Sequence, residues 1–169
     1  MKNEIKVPVR YLPSLKSIKD AAKQVTMILK SRKMYKKGKY YTRKPISSYK
    51  SKPSSHVKDA MRIYNIKTLT PNKELVQKTG CSLQALKKIV NKGEGAYFSS
   101  GSRPNQTAQS WGLARLASSI TAGKSAAVDY DILEKGCNHN KKAFLLAKKS
   151  RKKYKYGHSS TRKRVVKMN

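Results

Sequence analysis

The stretch Leu69–Gly93, LTPNKELVQKTGCSLQALKKIVNKG, sets two helix starts and two helix stops close together, and that crowding limits the folds open to the chain. Thr70 is suited to cap a helix with Pro71 at its first position, and Gly80 to end it; Ser82 is suited to cap a second helix and Gly93 to end that one. The pattern predicts two helices sharing a short turn. Leu75 and Val76 on the first and Leu86, Ile89 and Val90 on the second fall where a helix-turn-helix pair places its mutual core, with Gly80 supplying the left-handed turn residue. The second helix then presents Ser82, Gln84, Lys87 and Lys88 outward, side chains suited to base edges and phosphates in a DNA major groove. The same hairpin is also found as plain helical packing in proteins that never touch DNA, so the motif alone does not decide function.

Elsewhere the apolar spacing is helical, and no strand-like alternation of useful length is visible. Leu15, Ile18, Ala22, Val25 and Leu29 predict a helix that starts at Ser14 or Ser17 and runs to about Lys33, with Ser17 and Asp20 matching a capping box. Gly38, Pro45 and Pro53 then break the period. Residues 34–53 read as a basic arm in which cations alternate with Tyr35, Tyr40, Tyr41 and Tyr49. Lys36, Lys37, Lys39 and Arg43 offer charge to phosphates, and Tyr40 and Tyr41 offer flat rings to bases; the other reading is a solvated linker whose tyrosines pack back on a core. A short helix is expected from Ser55 to Tyr64, and His56 at its start receives no role. The run Tyr97–Thr107, YFSSGSRPNQT, reads as a loop that either gathers an anion around Arg103 or ties neighbouring elements together. A helix resumes at Thr107, with Trp111 assigned to the core.

Two chemical motifs fail on inspection. Ala122–Ser125, AGKS, lacks the glycine and the preceding strand of a phosphate-binding loop. Asp129, Asp131 and Glu134 fall on an amphipathic helix around Val128, Ile132 and Leu133, where carboxylates balance nearby lysines, and Cys137 with His139 is half a metal site at most. No catalytic residue, metal ligand, cofactor or small-molecule substrate is expected. Cys81 and Cys137 lack paired-motif spacing and are expected to be reduced, buried thiols.

Charge now narrows the partner. Forty Lys and Arg against eight Asp and Glu leave +32 on 169 residues. Such a field repels itself and attracts polyanions: nucleic acid is the first candidate, DNA through its phosphate backbone, but anionic membrane surfaces, heparin-like polymers and acidic proteins would satisfy the same field, and charge alone does not rank them. Residues 1–53 carry sixteen basic and two acidic side chains, residues 54–140 twelve and six, and residues 141–169 twelve and none. The expectation is a mainly α protein in three parts: a basic N-terminal helix and Tyr/Lys-rich arm (1–53), a small helical core domain with the helix-turn-helix-like hairpin (54–147), and a disordered basic tail (148–169). Lys148, Lys149, Arg151, Lys152, Lys153, Arg162, Lys163 and Arg164 in the tail are candidate phosphate contacts or a nuclear-import signal. The chain has no apolar run of membrane-spanning length and no secretory signal at its start, which favours cytosol or nucleus.

The segments RYLP, SRKMYKKGKYYTRK and Gly95–Cys137, the last reading GAYFSSGSRPNQTAQSWGLARLASSITAGKSAAVDYDILEKGC, resemble an uncharacterised family of nucleocytoplasmic large DNA viruses. The resemblance spans about residues 10–147 and implies a viral protein packaged in the particle and present in host cytoplasm or nucleus during infection; it transfers no catalytic residue. The expected function is non-enzymatic DNA binding or genome condensation. The alternative is a minor capsid or cement protein of the inner capsid layer, its basic arms ordered by neighbouring capsid proteins. A nuclease is a third reading, set back by the scarcity of acidic residues and histidines at workable spacing.

Overall fold

The structure, a computed structural model, describes residues 3–12, 17–157 and 161–168. It is mainly helical. Strand β1 (Asn3–Pro8) leads through a single 3-10 turn at Val9–Tyr11 to helix α1 (Ile18–Lys36). Then come α2 (Ser55–Tyr64), α3 (Lys73–Thr79), α4 (Leu83–Ser99), α5 (Ala108–Ile120), α6 (Lys124–Val128), α7 (Tyr130–Gly136), α8 (Lys142–Tyr154) and β2 (Lys163–Met168). Two units divide the chain discontinuously: Met1–Lys52 with Gly95–Ala108 and Ser160–Asn169, and Pro53–Glu94 with Gln109–Ser159. The boundary between Glu94 and Gly95 falls inside α4 and that between Ala108 and Gln109 after the first residue of α5, while that between Lys52 and Pro53 lies outside any helix.

The second unit is built on the hairpin. Asn72, not Thr70, caps α3: its Oδ1 accepts from the Leu75 amide at 2.9 Å, while its Nδ2 donates to Thr70 Oγ1. Pro71 therefore lies before the cap instead of at the first helical position. Gly80 ends α3 at φ +75°, a conformation that suits glycine, and Ser82 Oγ accepts from the Ala85 amide at the start of α4. Leu75, Leu86, Ile89 and Val90 are buried in one core with Leu116, Ile120, Leu133 and Phe144, and Val76 packs against it. Buried Tyr64 at the end of α2 donates its hydroxyl to the Ile120 carbonyl.

Gly93 does not stop α4, which runs two turns further. A methyl at Gly93 would stand 2.6 Å from the Gly112 α-carbon, and one at Gly112 would stand 2.6 Å from the Val90 carbonyl oxygen. The two glycines let α4 and α5 approach backbone to backbone, so Gly93 serves a helix crossing and not a cap. Trp111, assigned to the core, is only half-buried.

The cysteines are not free thiols: Cys81 and Cys137 form a disulfide. Local spacing could not show this, because the two lie 56 residues apart and meet only when the α3–α4 turn and the α7–α8 turn come together. The Ser82 amide donates to the Gly136 carbonyl at 2.7 Å, and the Asn138 amide donates to the Gly80 carbonyl at 2.8 Å.

The first unit contains the sheet that the sequence reading missed. β1 and β2 pair antiparallel from Asn3 with Met168 to Pro8 with Lys163. Val7 and Val166 are its buried residues. The reading of 148–169 as a disordered tail is thus corrected at both ends. α8 continues to Tyr154 because Ala143, Phe144, Ala147 and Ser150 form one buried stripe, and Lys163–Met168 is a paired strand. In α1 the capping box holds, with Ser17 Oγ accepting from the Asp20 amide at 3.0 Å; Ser14 and Leu15 lie outside the described residues. The arm is neither extended nor solvated throughout: Arg43 and Ile46 are buried, and Asn105 receives the Ile46 amide while donating to the Ile46 and Tyr49 carbonyls.

Removal of the disulfide in a Cys81→Ser/Cys137→Ser variant is expected to cost about 2–5 kcal/mol. Urea unfolding followed with and without a reductant measures it, and the native chain in reductant should match the variant. Gly93→Ala should cost roughly 1–3 kcal/mol by forcing α4 and α5 apart. A wild-type midpoint for that variant would contradict the close crossing.

Candidate nucleic-acid interface

The exposed side of α4 follows from its sequence. Ala85, Leu86, Ile89, Val90 and Gly93 face inward, so Gln84, Lys87, Lys88 and Asn91 at steps of three, four and seven share the opposite, exposed face. Ser82 is exposed at the helix start, its oxygen occupied as the cap while its O–H can still donate. Lysine, glutamine and asparagine on one face provide donors and acceptors for base edges together with charge for phosphate. Ser82, Gln84, Lys87 and Lys88 are the residues expected from the sequence; Asn91 extends the row.

A clamp at its N-terminal end holds this face together with the core packing of Leu86, Ile89 and Val90. The Cys81–Cys137 bond and the two backbone hydrogen bonds beside it join the turn to the α7–α8 segment. The exposed Lys141 lies so close over Gly80 that a methyl there would stand 2.5 Å from the lysine's Cγ. Nothing in the sequence around Lys141 signals its proximity to residue 80.

Lys92 belongs to a different network. Its Nζ donates to Asp129 Oδ1 at 3.0 Å, and Arg115 donates to the same carboxylate through Nε at 2.9 Å and Nη2 at 2.8 Å. Ser119 Oγ adds a bond at 3.2 Å. Asp129 is 1% exposed. Burial pushes its pKa up, but the hydrogen bonds and charges of Arg115 and Lys92 outweigh it and hold the carboxyl below its ordinary 3.8. Of the acidic trio, only Asp129 has this structural task; Asp131 and Glu134 are exposed.

The remaining predicted contacts separate by environment. On α8, Lys148, Lys149, Lys152 and Lys153 are exposed, but Arg151 is half-buried, donating to the Ala127 carbonyl at 3.2 Å with its guanidinium over Tyr130 and Tyr156. In the first unit Lys36, Lys37, Lys39, Tyr40, Arg103, Arg162, Lys163 and Arg164 are exposed, and Tyr41 is half-buried with Lys30 Nζ 4.5 Å from its ring centre. Arg43 is a correction. At 6% exposure it donates to Ser31 Oγ, the Tyr97 carbonyl and Ser102 Oγ and lies 3.8 Å over the Tyr97 ring, so it cannot reach a phosphate. Burial lowers its pKa, with the Tyr97 side chain acting the other way. The SSGSRPNQT loop is a tie at Ser100, Ser102 and Asn105, which bind Arg32, Gln24, Arg43 and the Ile46–Tyr49 backbone, and it leaves Arg103 outside. Among the described residues no group of His, Cys, Asp or Glu could hold a metal ion, and no helix is long and apolar enough to cross a membrane.

Residues 8–140 match a family of unknown function (DUF5824), and the chain belongs to that family. No curated protein and no solved structure matches it.

Replacing Asp129 with Asn should cost about 3 kcal/mol at neutral pH, the low end for breaking a buried pair, because Lys92 retains partial access to water. Since the folded-state pKa is depressed, the carboxylate's contribution is complete above the ordinary value and is lost as pH falls below 3.8. Unfolding of both proteins across the acid range should therefore show a gap that is flat near neutrality and closes toward low pH; a gap independent of pH would refute the ion-pair account.

Proposed function

We propose that this member of the DUF5824 family is a non-enzymatic DNA-binding protein that sets the exposed face of α4 into the major groove of a duplex. The observation that carries the reading is the single row Gln84, Lys87, Lys88 and Asn91, which follows the glycine turn and the Ser82 cap. In helix-turn-helix proteins the first turns of the second helix meet base edges. Gln84 and Asn91 suit adenine, and Lys87 and Lys88 suit guanine or phosphate. Lys141 beside Gly80 and the exposed lysines of α8 add charge without sequence preference.

A net charge of +32 makes most of the affinity electrostatic. This favours coating or condensing a genome over regulation at single sites. We place the protein on a packaged viral genome, a proposal supported by the resemblance of SRKMYKKGKYYTRK and Gly95–Cys137 to the large-DNA-virus family. The disulfide fits that setting, since such bonds persist in oxidising surroundings that include virus particles.

The Lys87→Ala/Lys88→Ala variant is the test, measured against Lys19→Ala/Lys23→Ala, an equal loss of charge at exposed positions on α1. Duplex binding across a salt series should weaken by about tenfold or more for the α4 pair beyond the α1 pair, because groove contacts add roughly 1–3 kcal/mol each. Equal weakening would reduce α4 to one charged surface among several.

A further inference from the structure

In the first unit a chain of rings leads from the interior to the surface. The guanidinium of buried Arg43 lies 3.8 Å over Tyr97, whose hydroxyl also accepts from the Arg43 amide at 3.0 Å. Tyr97 meets Phe98 edge-on at 5.0 Å between centroids, and Phe98 in turn packs against Tyr40 at 5.0 Å and parallel to Tyr35 at 6.3 Å. Tyr35 and Tyr40 complete the triangle at 6.2 Å. Burial declines along the chain, from none of the Tyr97 surface exposed to 37% for Tyr35 and 71% for Tyr40. The outer rings are thus held from beneath while much of their surface stays in water. Lys36, Lys37 and Lys39, all exposed, lie between the two tyrosines in the sequence.

We propose that Tyr35, Tyr40 and Phe98 form a stacking platform for unpaired bases of single-stranded DNA, whose phosphates the adjacent lysines neutralise. The charge decides the occupant. An apolar protein face laid on these rings would bring no charge to meet the lysines between Tyr35 and Tyr40, whereas a strand brings a phosphate with every base. Pre-organisation supports the same choice: rings already braced by Tyr97 and Arg43 lose little freedom when a base stacks on them. The site shares no residue with the α4 face, and it rests on the preceding reading only for the choice of DNA as the nucleic acid.

Fluorescence anisotropy with a labelled thymidine oligomer, an abasic oligomer of the same length, a uridine oligoribonucleotide and a duplex tests the proposal on the full chain and on Tyr40→Ala and Tyr40→Phe. Tyr40→Ala removes no charge and changes an exposed residue. It should weaken thymidine-oligomer binding at least about fivefold, the low end for one stacked base, and leave duplex and abasic binding as in the native chain. Tyr40→Phe should restore the affinity. Unchanged thymidine-oligomer binding by Tyr40→Ala overturns the platform, as does equal loss on the abasic strand or a ring-dependent affinity confined to the ribonucleotide. Should duplex binding prove independent of α4, the thymidine result still stands or falls alone.

Discussion

The second unit depends on a clamp between two short turns. Gly80–Cys81–Ser82 and Gly136–Cys137–Asn138 are joined by one covalent bond and two backbone hydrogen bonds, 2.7 and 2.8 Å long, on either side of it. Without this joint α3, seven residues long and too short to hold its shape by helix propensity, and the start of α4 would rest on the Ser82 cap and on the core packing of Leu75, Val76 and Leu86 alone. With it, the direction in which α4 leaves the turn is set by the core that α7 and α8 share. The proposed DNA-facing row inherits its position from that joint.

A second constraint is the handling of charge. A chain with five basic residues for every acidic one must keep most cations in water, and those brought inside need partners that carboxylates cannot supply in number. Arg43 is satisfied by a serine pair, a carbonyl and an aromatic face; Arg151 by a carbonyl and two rings; Arg115 by the buried Asp129, which Lys92 reaches from the exposed side. Arginine suits these places because its planar group donates in several directions and stacks. The lysines, more strongly hydrated, remain outside on α4, α8 and the segment after α1, where polyanions can reach them.

The local signals were legible because they are local. Ser55–Tyr64 is the helix its spacing announces, Ser17 caps α1, and Gly80 with Ser82 marks the turn between α3 and α4. What the sequence concealed depends on residues far apart in the chain. Gly93 looks like a helix stop until Gly112 is seen opposite it. The strands occupy opposite ends of the chain, each six residues long, and neither shows a pattern strong enough to stand out alone. Arg43 sits among exposed cations and shares their composition, yet Ser31, Tyr97 and Ser102 draw it inward. Two cysteines 56 residues apart give no hint of pairing until their turns meet. Of the candidate interface, the row on α4 could be read from helical periodicity, whereas Lys141 and the ring cluster around Phe98 could be found only in three dimensions.

The proposed DNA-binding role requires α4 to be the surface that meets duplex DNA. Amide spectra of isotope-labelled protein, recorded while a short duplex is added at moderate salt, address this residue by residue. The largest shifts are expected on Ser82, Gln84, Lys87, Lys88 and Asn91, with smaller ones at Lys141. Shifts confined to the lysines of α8 and of the first unit, with α4 unmoved, would contradict it.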